Sequence, residues 1–209
     1  MELTTWLTFF AASWAISISP GPGAIASMSA GLNHGFKYGY VTIFGLVLGI
    51  WTQLLIVGAG LGALIAASNT AFTVVKWFGV AYLVWLGIAQ WRAPARPMVA
   101  VQDSGEVVSQ RALILKAWMI NVVNPKGTVF LLAVVPQFMN LNQPLLPQYL
   151  IIGATLAFTD MVVMAGYTAL ASRVLGALKE PSHICAMNRT FGSLFVVAGS
   201  LLAFFKRSA

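Results

Sequence analysis

The five residues Ser19-Pro20-Gly21-Pro22-Gly23 constrain this chain more than any other stretch. Each proline removes an amide donor and clashes with the preceding turn, and each glycine loosens the backbone, so no α-helix continues through them. Apolar residues flank the stretch on both sides, from Leu7 to Ile18 and from Ala24 to Met28. In a water-soluble protein it would be an ordinary turn. Inside an apolar run it points to a membrane helix broken near the middle of the bilayer. Backbone groups freed at that depth persist only where protein or a watery cavity satisfies them.

Composition fixes the setting. Of the 209 residues, 59% are hydrophobic and 8% are charged, and the mean hydropathy is +0.84. A soluble domain carries about 25% charged residues, so the chain reads as an integral membrane protein. Its net charge of +7 comes from basic residues lying between apolar runs. That pattern fits cationic loops that orient a membrane protein, and not a nucleic-acid surface. The single cysteine, Cys185, excludes an internal disulfide framework and a CxxC redox pair. His34 and His183 fall in expected loops and there are only five acidic residues, so neither a metal site nor another cofactor is expected. No lysine or arginine precedes the first apolar run and no convincing small-x-small cleavage site follows it, so that run is expected to be retained as a helix.

Six apolar segments are long enough to span a hydrocarbon core, which needs ~20 helical residues. They run from about Leu3 to Gly31 with the break inside, Val41 to Ala66, Phe72 to Trp91, Leu113 to Met139, Leu146 to Leu175, and Phe191 to Phe205. The fourth is itself interrupted, by Asn124-Pro125-Lys126-Gly127. The expected fold is all-α. Residues 1–209 make a single transmembrane domain, with a first three-helix repeat at 1–91, a cytoplasmic linker at 92–111 and a second repeat at 112–209. The connections after helices 1, 3 and 5 carry Lys37, then Arg92, Arg96, Arg111 and Lys116, then Arg173, Lys179 and Arg189. The connection after helix 2 has Lys76 and the one after helix 4 has no basic residue. The positive-inside rule puts the richer loops in the cytoplasm and both termini outside, with Lys206 and Arg207 weighing mildly the other way.

Two halves repeat in order. Lys76-Trp77-Phe78-Gly79 is echoed by Arg189-Thr190-Phe191-Gly192, and Tyr82-Leu83-Val84 by Phe195-Val196-Val197. Thr52 to Val57 is echoed by Thr159 to Met164, and the Pro20 break by the Pro125 break. Three helices per half is an odd number, so the halves must be inverted in the membrane. Inverted repeats with corresponding interruptions are the pointer to a secondary transporter whose site lies at the interruptions. Gly23 is 14 residues from Lys37, ~21 Å if helical, and Lys126 is 10 from Lys116, ~15 Å, so both breaks are expected near the midplane.

The helical segments after Gly23 and Lys126 begin with unpaired amides, which attract carboxylates. Lys126 and Asp160 are ionisable residues expected inside the membrane, where the default reading is functional. Asp160 either carries a coupling proton, binds a substrate ammonium group, or pairs with Lys126; a purely structural ion pair joining the halves is the plainer alternative. Tyr167, seven residues on, shares its helical face. Gln53 occupies the corresponding position in the other half and either contacts substrate or bonds a neighbouring helix. The candidate substrate-binding set is therefore Ser19, Pro20, Gly21, Pro22, Gly23, Gln53, Asn124, Pro125, Lys126, Gly127 and Tyr167, with Asp160 for proton coupling. Ser13, Ser17, Ser27 and Gly31 read as close-packing positions, with substrate contact the lesser alternative. Gly45 and Gly49 read as packing, while Asn121 and Asn124 flank the second break and Asn124 either satisfies freed backbone or contacts substrate. Gly31, Gly35 and Gly39 suit internal packing or a homo-oligomer equally. Trp6, Trp77, Trp91 and Trp118 read as interfacial anchors.

The two proline motifs, together with Leu32-Asn33-His34-Gly35 and Pro136-Gln137-Phe138, resemble the LysE/RhtB family of amino-acid exporters over nearly the whole chain. Lys76 to Arg92 and Phe191-Gly192-Ser193-Leu194-Phe195 are similar to its homoserine/homoserine-lactone efflux branch. The resemblance implies a multi-pass bacterial inner-membrane exporter of homoserine, homoserine lactone or threonine, driven by the proton gradient. Its partners are then a small amino acid, protons and the lipid bilayer. A channel, or an exporter of another small solute or cation, is the alternative. No membrane histidine is available for an intramembrane enzyme, and an enzyme is not expected.

Overall fold

The computed structural model describes residues 2–67, 69–95, 109–140, 142–171, 173 and 180–204, and every described element is helical. Most of the 92–111 linker, the end of the fifth segment towards Leu175, and Phe205, Lys206 and Arg207 lie outside the described residues. The helices are α1 (Leu3–Ile18), α2 (Pro22–His34), α3 (Phe36–Ala67), α4 (Asn69–Arg92), α5 (Gln110–Val122), α6 (Pro125–Val134), α7 (Leu145–Ala169) and α8 (Pro181–Phe204), with a 3₁₀ turn at Val135–Phe138.

Both breaks expected from sequence are present. α1 ends at Ile18 and α2 starts at Pro22. α5 ends at Val122 and α6 starts at Pro125. Proline at the first helical position is stable because its missing N–H would have been unpaired anyway. Two boundaries differ from expectation. α3 begins at Phe36, not Val41, because Gly35 at φ 90° makes the whole turn from α2 in one residue. α8 begins at Pro181, ten residues before Phe191, and His34 and His183 sit in helix ends and not in loops. The first turns of α8 are too polar to read as a span. They are held helical against α4 by Gln90 Nε2 donating to Asn188 Oδ1 at 2.8 Å and Trp91 Nε1 to the Arg189 carbonyl at 2.8 Å.

Phe36–Gly60 of α3 and Leu145–Ala169 of α7 are each long and apolar enough to cross a membrane. α5 and α6 add a third such span if the pair, bent by 52°, is counted as one, and α1 is a shorter apolar helix. Small residues set the spacing. A methyl on Gly45 would meet the Ile114 carbonyl oxygen of α5, and one on Gly87 would meet Gly192 O at 2.6 Å, so α3 lies on α5 and α4 on α8 nearly backbone to backbone. Gly31 and Gly39 abut each other and Thr168, and Ser27 Oγ reaches Gly39 O and Thr168 Oγ1, both at 3.1 Å. Gly31 and Gly39 therefore pack α2, α3 and α7 together, whereas Gly35 makes the turn with open space beside it.

Apolar burial is divided between two clusters. One gathers Phe9, Leu54, Leu83, Phe130, Phe138, Ile152 and Phe195 among others from α1, α3, α4, α6, the 3₁₀ turn, α7 and α8. The other gathers Ala24, Met28, Ile43, Leu46, Ala117 and Met164 from α2, α3, α5 and α7. The two breaks face each other between them. Trp6, Trp91 and Trp118 each spend their indole N–H inside the protein, Trp6 on Thr155 Oγ1 and Trp118 on Thr52 Oγ1, both at 3.1 Å.

Candidate functional site

A helix broken in an apolar setting leaves carbonyls at the end of one segment and amides at the start of the next. Here each set of freed carbonyls is satisfied from the other half of the chain. At the first break the Tyr167 hydroxyl donates to Ile18 O, and Lys126 Nζ donates to Ser19 O at 2.8 Å. At the second, Gln53 Nε2 reaches Asn121 O at 2.7 Å, Asn124 O at 3.1 Å and Thr128 Oγ1 at 2.9 Å. Asn121 Nδ2 returns a bond to Leu46 O of α3 at 2.7 Å. The breaks therefore meet, joined directly by the Lys126–Ser19 bond.

The amide sides differ. The Asn124 side chain accepts from Lys126 N at 3.1 Å and caps α6. α2 starts from Gly21, which offers no side-chain cap, and the amides of Gly23 and Ala24 have no hydrogen-bond partner among the described residues. Those amides border a cavity of about 80 Å³ between the two breaks, α3 and α7. A single water needs roughly 10–15 Å³, so several fit. Ser17, Ser19, Gly21, Gly23, Gln53, Asn121, Asn124, Lys126, Gly127 and Asp160 supply its polar wall, and Phe130, Leu131, Leu156 and Met164 its apolar wall.

Lys126 and Asp160 both line this cavity, yet no ion pair within 4.0 Å joins them. The Lys126 ammonium is held by Ser19 O and lies 5.8 Å from the centre of the Phe195 ring, a cation–π contact from α8. The Asp160 carboxylate has no hydrogen-bond partner among the described residues and faces the cavity. A cation, an acid and a row of uncapped amides thus share one space.

Of the residues chosen from sequence, Ser19, Gly21, Gly23, Gln53, Asn124, Lys126, Gly127 and Asp160 line the cavity. Pro20 lies between α1 and α2, Pro22 and Pro125 open α2 and α6, and Tyr167 clamps the first break from beside the cavity. None of these four is in its wall. Thr128, Phe195 and the buried Ser17–Thr159 hydroxyl pair, 3.2 Å apart, were not foreseen as a group. Thr159 and Phe195 stand in the sequence only as members of the repeat echoes, and Ser17 only as a packing position. A second, mostly apolar cavity of about 260 Å³ runs along the other side of α2, between Pro22 and Asn33 and against Leu113, Lys116 and Ile120 of α5.

The chain is 43% identical to the homoserine/homoserine lactone efflux protein of Salmonella typhimurium over 203 residues, 97% of this chain and 98% of that protein. It is equally 43% identical, over the same shares, to an uncharacterized membrane protein of Vibrio cholerae. It is 26% identical to the leucine efflux protein of an Enterobacter species, over 96% of this chain and 95% of that one. No solved structure matches. The family of LysE type translocators matches residues 14–205, nearly the whole length over which the two breaks, their clamps and the cavity are built, and the chain belongs to that family of membrane efflux transporters.

Proposed function

We propose that the protein exports small neutral amino acids and derivatives, namely homoserine, homoserine lactone and threonine, from the cytoplasm across the bacterial inner membrane. The observation that carries this reading is the meeting of the two breaks around one cavity that holds Lys126, Asp160 and the uncapped amides of α2. An amino-acid carboxylate suits the α2 amides and Lys126, and its ammonium suits Asp160. The relatives named for homoserine efflux, similar over nearly their full length, support the choice of substrate.

The mechanism proposed is alternating access, with six spans arranged as inverted repeats at 1–91 and 112–209 and both termini outside. The helix contacts support it: α4 pairs with α8, α3 with α7, and the α3–α5 contact has a counterpart in α1–α7. Asp160 exchanges a proton for the substrate ammonium, and its charge state sets how firmly Lys126 stays on Ser19 O. One proton entering across 100 mV supplies about 2.3 kcal/mol. The second cavity, with Lys116 at its far end, is a suitable approach from the cytoplasm.

The test is an efflux panel. Cells loaded in turn with homoserine, threonine, leucine and lysine are compared with and without the protein. Faster loss of homoserine and threonine, with lysine unaffected, is expected. Equal efflux of every amino acid with the protein verified in the membrane would refute the reading.

A further inference from the structure

Three glutamines are buried, each no more than 3% exposed: Gln53, Gln137 and Gln148. Two of them clamp backbone. Gln53 holds the second break. Gln148 holds the turn before α7, accepting from Asn140 N at 2.7 Å and donating to Asn140 O at 2.8 Å and Pro144 O at 3.1 Å. Gln137 does neither: its Nε2 and Oε1 are both buried with no hydrogen-bond partner among the described residues. A buried amide left unpaired is strongly disfavoured, and more so in apolar surroundings. If the position needed only volume, an apolar side chain would serve it better.

The segment around Gln137 closes α6 with a single turn. Pro136 has no amide to continue the helical ladder, so α6 gives way to a 3₁₀ turn that ends at extended Met139. Short 3₁₀ turns are common where an α-helix ends. In this structure the turn is enclosed: Val135, Pro136, Gln137 and Phe138 are all buried, Phe138 packs edge-on against Phe9 of α1 at 5.3 Å, and α4 touches the turn as well. The turn ends the segment that begins at the second break, so it lies at the end of the molecule away from Lys116.

We propose that Val135–Phe138 is the outer gate of the transport route and that Gln137 is its substrate contact, unpaired here because the gate is closed. When α1, α4 and the turn part, the amide meets water and the leaving amino acid. Its carbonyl accepts from the ammonium group and its N–H groups donate to the carboxylate or hydroxyl. The inference rests on the alternating-access reading above and adds a second point of contact beyond the cavity.

Two variants test it in reconstituted vesicles, in a Cys185→Ala background. Gln137→Cys is exposed to a membrane-impermeant maleimide from either face, with and without homoserine. Labelling from the outer face, changed severalfold by homoserine, is expected. Labelling from the inner face alone, or none on a folded protein, overturns the gate. Gln137→Met keeps the shape and removes the amide, so the closed state gains stability. Its thermal midpoint should rise and homoserine turnover should fall about tenfold, with half-saturation little changed. A lowered midpoint, or wild-type turnover, overturns the substrate contact. Absence of homoserine export by the wild-type protein would count against the proposed function instead, and the gate is then judged by outer-face labelling without homoserine.

Discussion

Gln53 engages three backbone carbonyls and one hydroxyl from a single amide nitrogen, all at the second break. Replacing it with leucine takes one donor from each of the Asn121 and Asn124 carbonyls, which keep only the Asn124 amide and the Thr128 amide and hydroxyl. Gln53→Leu should therefore lose about 1–3 kcal/mol of stability, read as a lower thermal midpoint in detergent; an unchanged midpoint would show that the break needs no clamp. Asp160 sits in the same wall with no hydrogen bond to the described residues, which is compatible with the coupling role proposed for it. Asp160→Asn should abolish the stimulation of export by an inward-directed proton gradient while the protein stays folded. Stimulation equal to wild type in proteoliposomes would remove Asp160 from coupling. Lys126 and Asp160 were legible in the sequence because a charge in an apolar run stands out by itself. The Lys126–Ser19 bond and the Phe195 contact were not, because they join residues 107 and 69 positions apart and leave no spacing to read.

The two broken helices are the elements that sequence described best. Proline and glycine act through local backbone geometry, so Pro20, Pro22 and Pro125 announce their effect wherever they occur. Helix ends set by tertiary support escaped notice. The first turns of α8 owe their place to Gln90 and Trp91 of α4, and apolar periodicity carries no trace of that. Close approach of α3 and α5 depends on Gly45, where any side chain would run into the Ile114 carbonyl. Gly45→Val should force the helices apart and cost about 1–3 kcal/mol, measured again as thermal midpoint and as loss of folded protein from the membrane. A variant as stable as wild type would mean that the α3–α5 spacing is adjustable.

Across the whole molecule, the segments after the two breaks are packed unequally. α2 rests on α3 and α7, whereas α6 rests on α3 and α4 and makes no comparable contact with α7 among the described residues. The cavity fills that gap, bounded by Phe130 and Leu131 on one side and Leu156, Asp160 and Met164 on the other. Under the proposed mechanism the two segments exchange these roles once per cycle, which is what moves the site from one side to the other. Only an exchanger of this kind drives a labelled substrate uphill on the gradient of an unlabelled one. The measurement is counterflow of labelled homoserine into proteoliposomes preloaded with unlabelled homoserine. A transient accumulation above equilibrium is expected, saturable in external homoserine and absent from Lys126→Met. Simple filling to equilibrium without an overshoot, at a rate proportional to concentration, would contradict a shared alternating site and leave a channel in its place.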